Sequence, residues 1–277
     1  MNFIGSSFDY DDESLVSCCD ELPFWSAPFG QLLLDMVDYR KNVIALDIGF
    51  GTGFPLLELA MRLGTSSFIY GIDPWSRAVE RARYKAQQYG VENVGLFEGT
   101  ADRIPIDSGK IDCIVSNNGF NNVPDPDAVI TECARVAKPG CQLVMTMNCD
   151  TTMVEFYELL RQSFREHGIA DALVNIDSHI CAKRPSIAVM VEKFASHGFV
   201  KTNERNESFK LRFSDGTALL QHYFIRLAFL ESWLHCIPEG FTDVIISDVE
   251  RKMNDVANAE GGFHLTVPFV GIAFCMR

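Results

Sequence analysis

Asp47, Gly49, Gly51 and Gly53 occupy alternate positions in the stretch LDIGFGTGFPLLELA (residues 46–60), between a short apolar run and an amphipathic pattern. Glycines at that spacing let a backbone turn pass close to a ligand. A carboxylate beside such a turn suits a ligand that presents a cation there, such as the ammonium of an amino acid, through a charge-assisted hydrogen bond. A dinucleotide turn would instead need Gly-x-Gly-x-x-Gly with a small third residue. Counted from Gly49 that third position is Phe54, and the dinucleotide pattern has no acid at the strand end. The turn therefore points away from a nicotinamide or flavin cofactor.

The elements that would carry this turn alternate along the chain. Short β-branched runs at residues 43–48, 67–72, 94–98, 111–116 and 142–147 read as five strands, with helical patterns between them. The first helix is expected over about 54–62, with Pro55 tolerated in its first turn. The second is expected over 76–89, capped by Ser76 and stopped by Gly90. A further helix at about 127–136 is closed by Lys138-Pro139-Gly140. Strands this apolar imply an α/β class fold, a sheet covered by helices on both faces. Residues 150–190 break the rhythm with the helical stretch TMVEFYELLRQSFREHG. A helix at 189–197, a strand at 199–213, a helix at 218–234 that is apolar almost all round, and a strand at 265–276 complete the reading.

Composition narrows the partners. The 277 residues are 47% apolar, enough for a sizeable core, and carry a formal charge of −13. Residues 1–39 hold eight acids and no Lys or Arg, which argues against nucleic acid, because phosphate backbones are held by clustered cations. The N-terminus lacks a signal peptide's positive start and apolar core, and no apolar run approaches the roughly 18 residues of a membrane helix. A cytoplasmic protein without membrane contact is expected. Nine cysteines, with neither a Cys-x-x-Cys nor a His-x-x-x-His pair, give no metal site.

The residues quoted so far resemble the first motif of class I S-adenosylmethionine-dependent methyltransferases, and three later segments agree in order. YGIDPWS places Asp73 at the end of the second strand. The resemblance implies that its carboxylate accepts the ribose hydroxyls, with Pro74 and Trp75 against the adenine. FEGTADRIPIDSGKIDCIVSNN is similar to the family's Gly-Asp-Ala-x-x-Leu-Pro-Phe segment through Gly99, Thr100, Ala101, Ile104, Pro105 and Ile106. The family's adenine-binding Asp is Thr100 here, so Asp102 either substitutes for it or is a solvated loop acid, and the Ala101 N–H remains as a donor. Asn117, at the end of the fourth strand, is the implied cofactor contact there. Arg135, Val136, Lys138, Pro139 and Gly140 match a structural helix-to-strand turn. The resemblance covers residues 25–147. It implies a Rossmann-like, doubly wound seven-stranded sheet, mostly parallel with one antiparallel strand, and S-adenosyl-L-methionine as cofactor.

In such enzymes the sulfonium already activates the methyl group, so the protein aligns an acceptor, excludes water and, for some acceptors, removes a proton. No fixed catalytic residue is needed, and the acceptor site is correspondingly hard to read. The chain is expected to be one domain over 1–277. Within it, 1–40 is a helical lid, 41–149 the cofactor-binding core, and 150–190 with 214–262 helical cap insertions. In the lid, Phe24, Trp25 and Phe29 either cover the site or pack on the sheet. Candidate catalytic residues are His222, Tyr223 and Asn118. His222 either acts as a base near neutrality or makes a buried hydrogen bond, with His179 a lesser candidate. Asn118, Asn121 and Asn122 either line the substrate mouth or serve as turn residues.

The expected acceptor is a small, partly apolar metabolite, methylated by in-line displacement, and the chain is a monomer or homodimer. The motif set is also similar to quinone-biosynthesis and arsenite methyltransferases. The arsenite reading would need converging thiolates, whereas Cys113, Cys133, Cys141 and Cys149 read as packing. Rival readings are a non-catalytic protein that binds S-adenosylmethionine or S-adenosylhomocysteine, and an NAD-dependent oxidoreductase.

Overall fold

The strands are β1 (Ile44–Ile48), β2 (Phe68–Asp73), β3 (Val94–Glu98), β4 (Ile111–Asn117), β5 (Ala137–Asn148), β6 (Phe199–Phe213) and β7 (Phe263–Met276). In the computed structural model, which describes residues 8–21 and 24–277, they form one sheet in the order β3-β2-β1-β4-β5-β7-β6. The pairs from β3 through β5 are parallel, and β5 pairs with β7 antiparallel. This is the Rossmann-like, mostly parallel sheet that the sequence implies. Its order reverses between β1 and β4, and in open α/β sheets a crevice forms at that reversal, outside the carboxyl ends of the strands.

The chain divides into two compact units. The first comprises residues 9–148, 186–207 and 269–277 and holds α1 (Glu13–Asp20), α2 (Ser26–Met36), α3 (Leu56–Leu63), α4 (Ser76–Tyr89) and α5 (Pro126–Val136). Its core is built on the fully buried side chains of Leu46, Ile114 and Leu143. Burying each such side chain stabilises the fold by about 1.5–3 kcal/mol. Phe29 of α2 is also buried, 4.4 Å from the Phe269 ring, so it packs on the sheet. The second unit is helical, with α6 (Val154–Glu166) and α7 (Leu173–Lys183). The helix α8 (Ile187–Ser196) belongs to the first unit, where Phe194 stacks on Phe274 at 4.6 Å.

Several local expectations are corrected. Residues 218–234 do not form one helix. They pass through α9 (Gly216–Gln221), α10 (Tyr223–Ile225), a π-helical turn over Arg226–Leu230 and α11 (Glu231–Leu234), with His222 extended at ψ 128°. A long helix, α12 (Thr242–Glu260), follows. It is tied to α6 by Ser163 Oγ donating to Asp248 at 2.8 Å and by Lys252 bridging Asp248 and Glu166. Ser76 does not cap α4: the N-cap is Trp75, without a side-chain hydrogen bond. Pro55 precedes α3 as its N-cap, and Lys138, Pro139 and Gly140 lie inside the early part of β5. Residues 1–7 and 22–23 of the expected lid lie outside the described residues. Among those described, no helix is long and apolar enough to cross a membrane and no group of His, Cys, Asp and Glu is placed to hold a metal.

Candidate active site

β1 ends at Ile48, and the chain turns back toward α3 through the alternating glycines. Gly49 has φ +76° and its N–H donates to Ile72 O at 2.9 Å, which clips the turn to the end of β2. A side chain at Gly49 would meet Gly119 Cα at 3.3 Å. Gly119, in the turn after β4, is tighter still: a Cβ there would lie 2.5 Å from Ser116 Oγ and 2.6 Å from the Ile48 carbonyl. The two turns are thus pressed together where the strand order reverses, and only side-chain-free residues allow it. Gly53 has a different neighbourhood, since a Cβ there would meet Leu57 at 3.0 Å and Ala82 at 3.3 Å.

Asp73 closes β2. Its Oδ2 accepts the Gly51 N–H and its Oδ1 the Trp75 N–H, each at 2.8 Å. A carboxylate has about four lone-pair sites, so both oxygens keep capacity for further donors. Burial pushes the Asp73 carboxyl up in pKa, and these two N–H bonds oppose the rise. Asp47 is fully buried, and neither of its oxygens has a hydrogen-bond partner among the described residues. Burial holds its pKa well above the usual carboxylate range, and the Asp73 charge adds to the rise. A buried carboxyl without a donor lacks a compensating partner, and an arriving ammonium would supply one.

A cleft of about 590 Å³ opens at these turns. Gly49 and Gly51 form part of its wall, with Asp73, Pro74 and Trp75 from the end of β2. Thr100, Ala101 and Asp102 contribute from the loop after β3, and Asn117 and Asn118 from the end of β4. Of the eleven residues read from the sequence as cofactor contacts, the structure gathers all on this wall except Asp47 and Gly53. Sequence reasoning did not single out Val123, Pro124 and Val129, whose apolar side chains line the cleft beside Trp25. Nor did it single out Gly119, whose only signal was a glycine between asparagines.

The asparagines are held in a network. Asn117 Nδ2 donates to Ser26 O at 3.2 Å, and Thr146 Oγ1 donates to Asn117 Oδ1 at 2.9 Å. Asn118 has φ +58°, an uncommon conformation that a side chain such as Asn tolerates. Its Oδ1 accepts from Asn121 Nδ2 at 2.8 Å, and its N–H donates to Thr146 O at 3.0 Å. Asn121 also donates to Asn148. Trp75 is fixed by its indole N–H, which donates to Tyr10 O at 2.8 Å.

Of the three residues considered for catalysis, Asn118 stands on the cleft wall. His222 and Tyr223 belong to the helical unit, His222 edge-on to Phe213 and Tyr223 edge-on to Phe8, each at 5.6 Å. His179 shares a hydrogen bond with the Tyr157 hydroxyl at 3.1 Å, and burial lowers its pKa to about 4, so it is neutral at physiological pH. Cys113, Cys133 and Cys141 are buried and burial pushes their thiols up, which keeps them protonated.

The chain matches the Methyltransferase domain family over residues 39–211. It is 31% identical over 129 residues to the demethylmenaquinone methyltransferase of Anoxybacillus flavithermus, covering 47% of this chain and 54% of that protein. The chain spans about half the length of the curated relatives it matches. In fold it is similar to the YcgJ protein of Bacillus subtilis, with a TM-score of 0.58 at 17% identity over 91% of this chain and 99% of the other. It is likewise similar to geranyl diphosphate C-methyltransferase from Streptomyces coelicolor, with a TM-score of 0.55 at 16% identity over 99% and 88% of the two chains. With the glycine turn, the Asp73 carboxylate and the cleft at the reversal of the sheet already in place, the match over residues 39–211 decides the matter: the chain belongs to the methyltransferase-domain family, within the class I S-adenosylmethionine-dependent methyltransferases.

Proposed function

We propose that this protein transfers the methyl group of S-adenosylmethionine to a small, partly apolar metabolite at the cleft between the turns after β1 and β4. The observation that carries the reading is the convergence of Gly49, Gly51, Asp73, Trp75 and Asn117 on one cavity wall. In this reading the free lone pairs of Asp73 receive the ribose hydroxyls, and Pro74 and Trp75 lie against the adenine. Thr100, Ala101 and Asp102 meet the adenine edge. The unpartnered carboxyl of Asp47 supplies negative charge behind the glycine turn, suited to the amino-acid ammonium. Asn117 contacts the cofactor from β4, while Asn118 and the apolar side chains of Trp25, Val123, Pro124 and Val129 face the acceptor.

When bound, S-adenosylmethionine would supply an activated methyl group on a sulfonium, suited to in-line displacement in which the carbon–sulfur electron pair leaves with sulfur. The chain's own part is to hold the acceptor in line and exclude water. A relative named for demethylmenaquinone supports an acceptor of partly apolar character, as do the apolar cleft residues.

Calorimetric titration with S-adenosylmethionine, S-adenosylhomocysteine and NADH tests the cofactor, and a labelled-methyl screen of metabolite extracts then tests transfer. Binding of the two sulfur nucleosides, refusal of NADH and label in a small molecule are expected. NADH binding without the others would overturn the reading. Tight S-adenosylhomocysteine binding with no labelled product across extracts would favour a non-catalytic binder.

A further inference from the structure

Arg184 follows α7 in the helical unit, and only 4% of its surface reaches solvent. Its Nε and Nη1 are enclosed and meet no hydrogen-bond acceptor among the described residues. No ion pair to it occurs among those residues, and the remaining positions, 1–7 and 22–23, contain neither Asp nor Glu. In a chain with 37 acids, a buried guanidinium has been left without one.

What faces Arg184 is the ring of Tyr157, whose centroid lies 5.2 Å from the guanidinium carbon. A ring quadrupole attracts a cation but carries no net charge. The Tyr157 hydroxyl is already engaged, accepting from Trp233 Nε1 at 3.2 Å and sharing a hydrogen bond with His179 Nε2 at 3.1 Å. Burial raises the phenol's pKa against the Arg184 charge and hydrogen bonds from Arg184 and Trp233, so the hydroxyl gives the guanidinium a neutral contact and no counter-charge. The surroundings add positive charge: after burial, the influences that keep His179 neutral are Arg184, Lys183 and His235. An uncompensated buried cation is costly, and a well-packed apolar side chain would avoid that cost.

We propose that Arg184 anchors an anion site in the helical unit, and that its ligand is a small metabolite bearing a carboxylate or phosphate group. A guanidinium presents planar, parallel N–H donors that match either group in a bidentate pair. Tyr157 holds the cation from its ring face, and Trp233 and His179 hold Tyr157. The site stands apart from the methyl-transfer reading and does not depend on it.

The test is the melting temperature of the full chain titrated with inorganic phosphate, acetate or benzoate, with chloride at matched ionic strength as the reference. A saturable rise with phosphate or with the carboxylates, beyond that in chloride, is expected, and the responding arm identifies the ligand class. Arg184→Gln and Arg184→Met should shift the half-saturation concentration upward more than about 10-fold, the loss of one charge-assisted contact. Both variants should bind S-adenosylhomocysteine as the parent does. In chloride alone, Arg184→Met should melt at or above the parent, because it removes an uncompensated charge. The proposal is overturned if no anion exceeds chloride, if Arg184→Gln keeps the rise, or if Arg184→Met melts well below the parent in chloride.

Discussion

The Asp73 carboxylate accepts the backbone N–H of Gly51 at 2.8 Å, so the acid that ends β2 also fixes the glycine turn after β1. One side chain therefore both shapes the turn and offers its remaining lone pairs to the cleft. Replacing Asp73 with Ala removes both functions, and Asn keeps part of the geometry without the charge. Hydrogen bonds to a charged group contribute about 1.5–3 kcal/mol, so Asp73→Ala should weaken S-adenosylhomocysteine binding about 10- to 100-fold. Asp73→Asn should fall between. Calorimetry checks both, and an unchanged dissociation constant in Asp73→Ala would remove Asp73 from the cofactor site.

Gly119 tests the contact between the two turns. Its missing side chain would sit 2.6 Å from the Ile48 carbonyl, a backbone atom that cannot move aside cheaply. Overpacking of this kind costs about 1–3 kcal/mol. Gly119→Ala should lower the urea midpoint accordingly and also weaken cofactor binding, because the turn after β1 must shift to make room. Gly140→Ala is the control: it has φ +80° but a Cβ there would meet nothing within 4 Å, so its cost is backbone strain alone and its cofactor affinity should be unchanged.

The cleft wall was legible in the sequence because it lies on short segments next to strand ends, where each acid or glycine carries its own local signal. Helix α4 matches its expected span of 76–89, being a run of good helix formers stopped by Gly90 in the left-handed conformation. β6 likewise matches at 199–213. Where signals are tertiary, the reading stopped. Nothing around His222 marks a helix break, since no Gly or Pro lies between Ala218 and Leu234. The requirement for Gly119 comes from Ile48 and Ser116, and no local pattern announces it. Nothing in the residues around Arg184 marks it as enclosed, because its burial comes from tertiary packing.

α1 is held to α4 by charge. Asp20 pairs with Lys85 at 2.7 Å and with Arg81 at 2.9 Å, and its side chain is only 10% exposed. Burial raises the carboxyl's pKa, but hydrogen bonds from Lys85, Thr52 and Arg81 outweigh it and leave the carboxyl below its usual value. A lowered folded value means the contribution is present above the ordinary carboxylate pKa and is lost as the pH falls through the folded one. Asp20→Ala should therefore speed hydrogen exchange in Glu13–Asp20 at neutral pH while leaving β1, β4 and β5 protected. Uniform exchange changes throughout the sheet would show that α1 is not a separately docked element.

His179 gives the helical unit a pH dependence with a definite window. Burial, followed by the charges of Arg184, Lys183 and His235, lowers its pKa from an ordinary 6.5 to about 4. The unfolded chain then binds a proton that the folded chain refuses, so stability is present above about 6.5 and declines as the pH falls toward 4. His179→Gln should flatten that decline in urea titrations at pH 7, 5.5 and 4.5. A decline of equal steepness in the variant would assign the acid sensitivity to other groups.

Asp47 titrates in the opposite sense. Burial and the nearby Asp73 charge raise its folded pKa well above the ordinary value. The folded chain therefore keeps a proton that the unfolded chain has released. Stability from this group is full below the ordinary carboxylate pKa and is lost as the pH rises through the folded value. An ammonium arriving at the glycine turn would favour the ionised form, so cofactor binding should expel a proton wherever Asp47 is still protonated. Calorimetry of S-adenosylhomocysteine in buffers of different ionisation enthalpy, at several pH values, should show this release. Asp47→Asn should abolish the release and weaken binding, yet raise the stability of the ligand-free chain at neutral pH, because an amide has no proton to take up on folding. An unaltered proton count in Asp47→Asn would mean that the ammonium is held elsewhere.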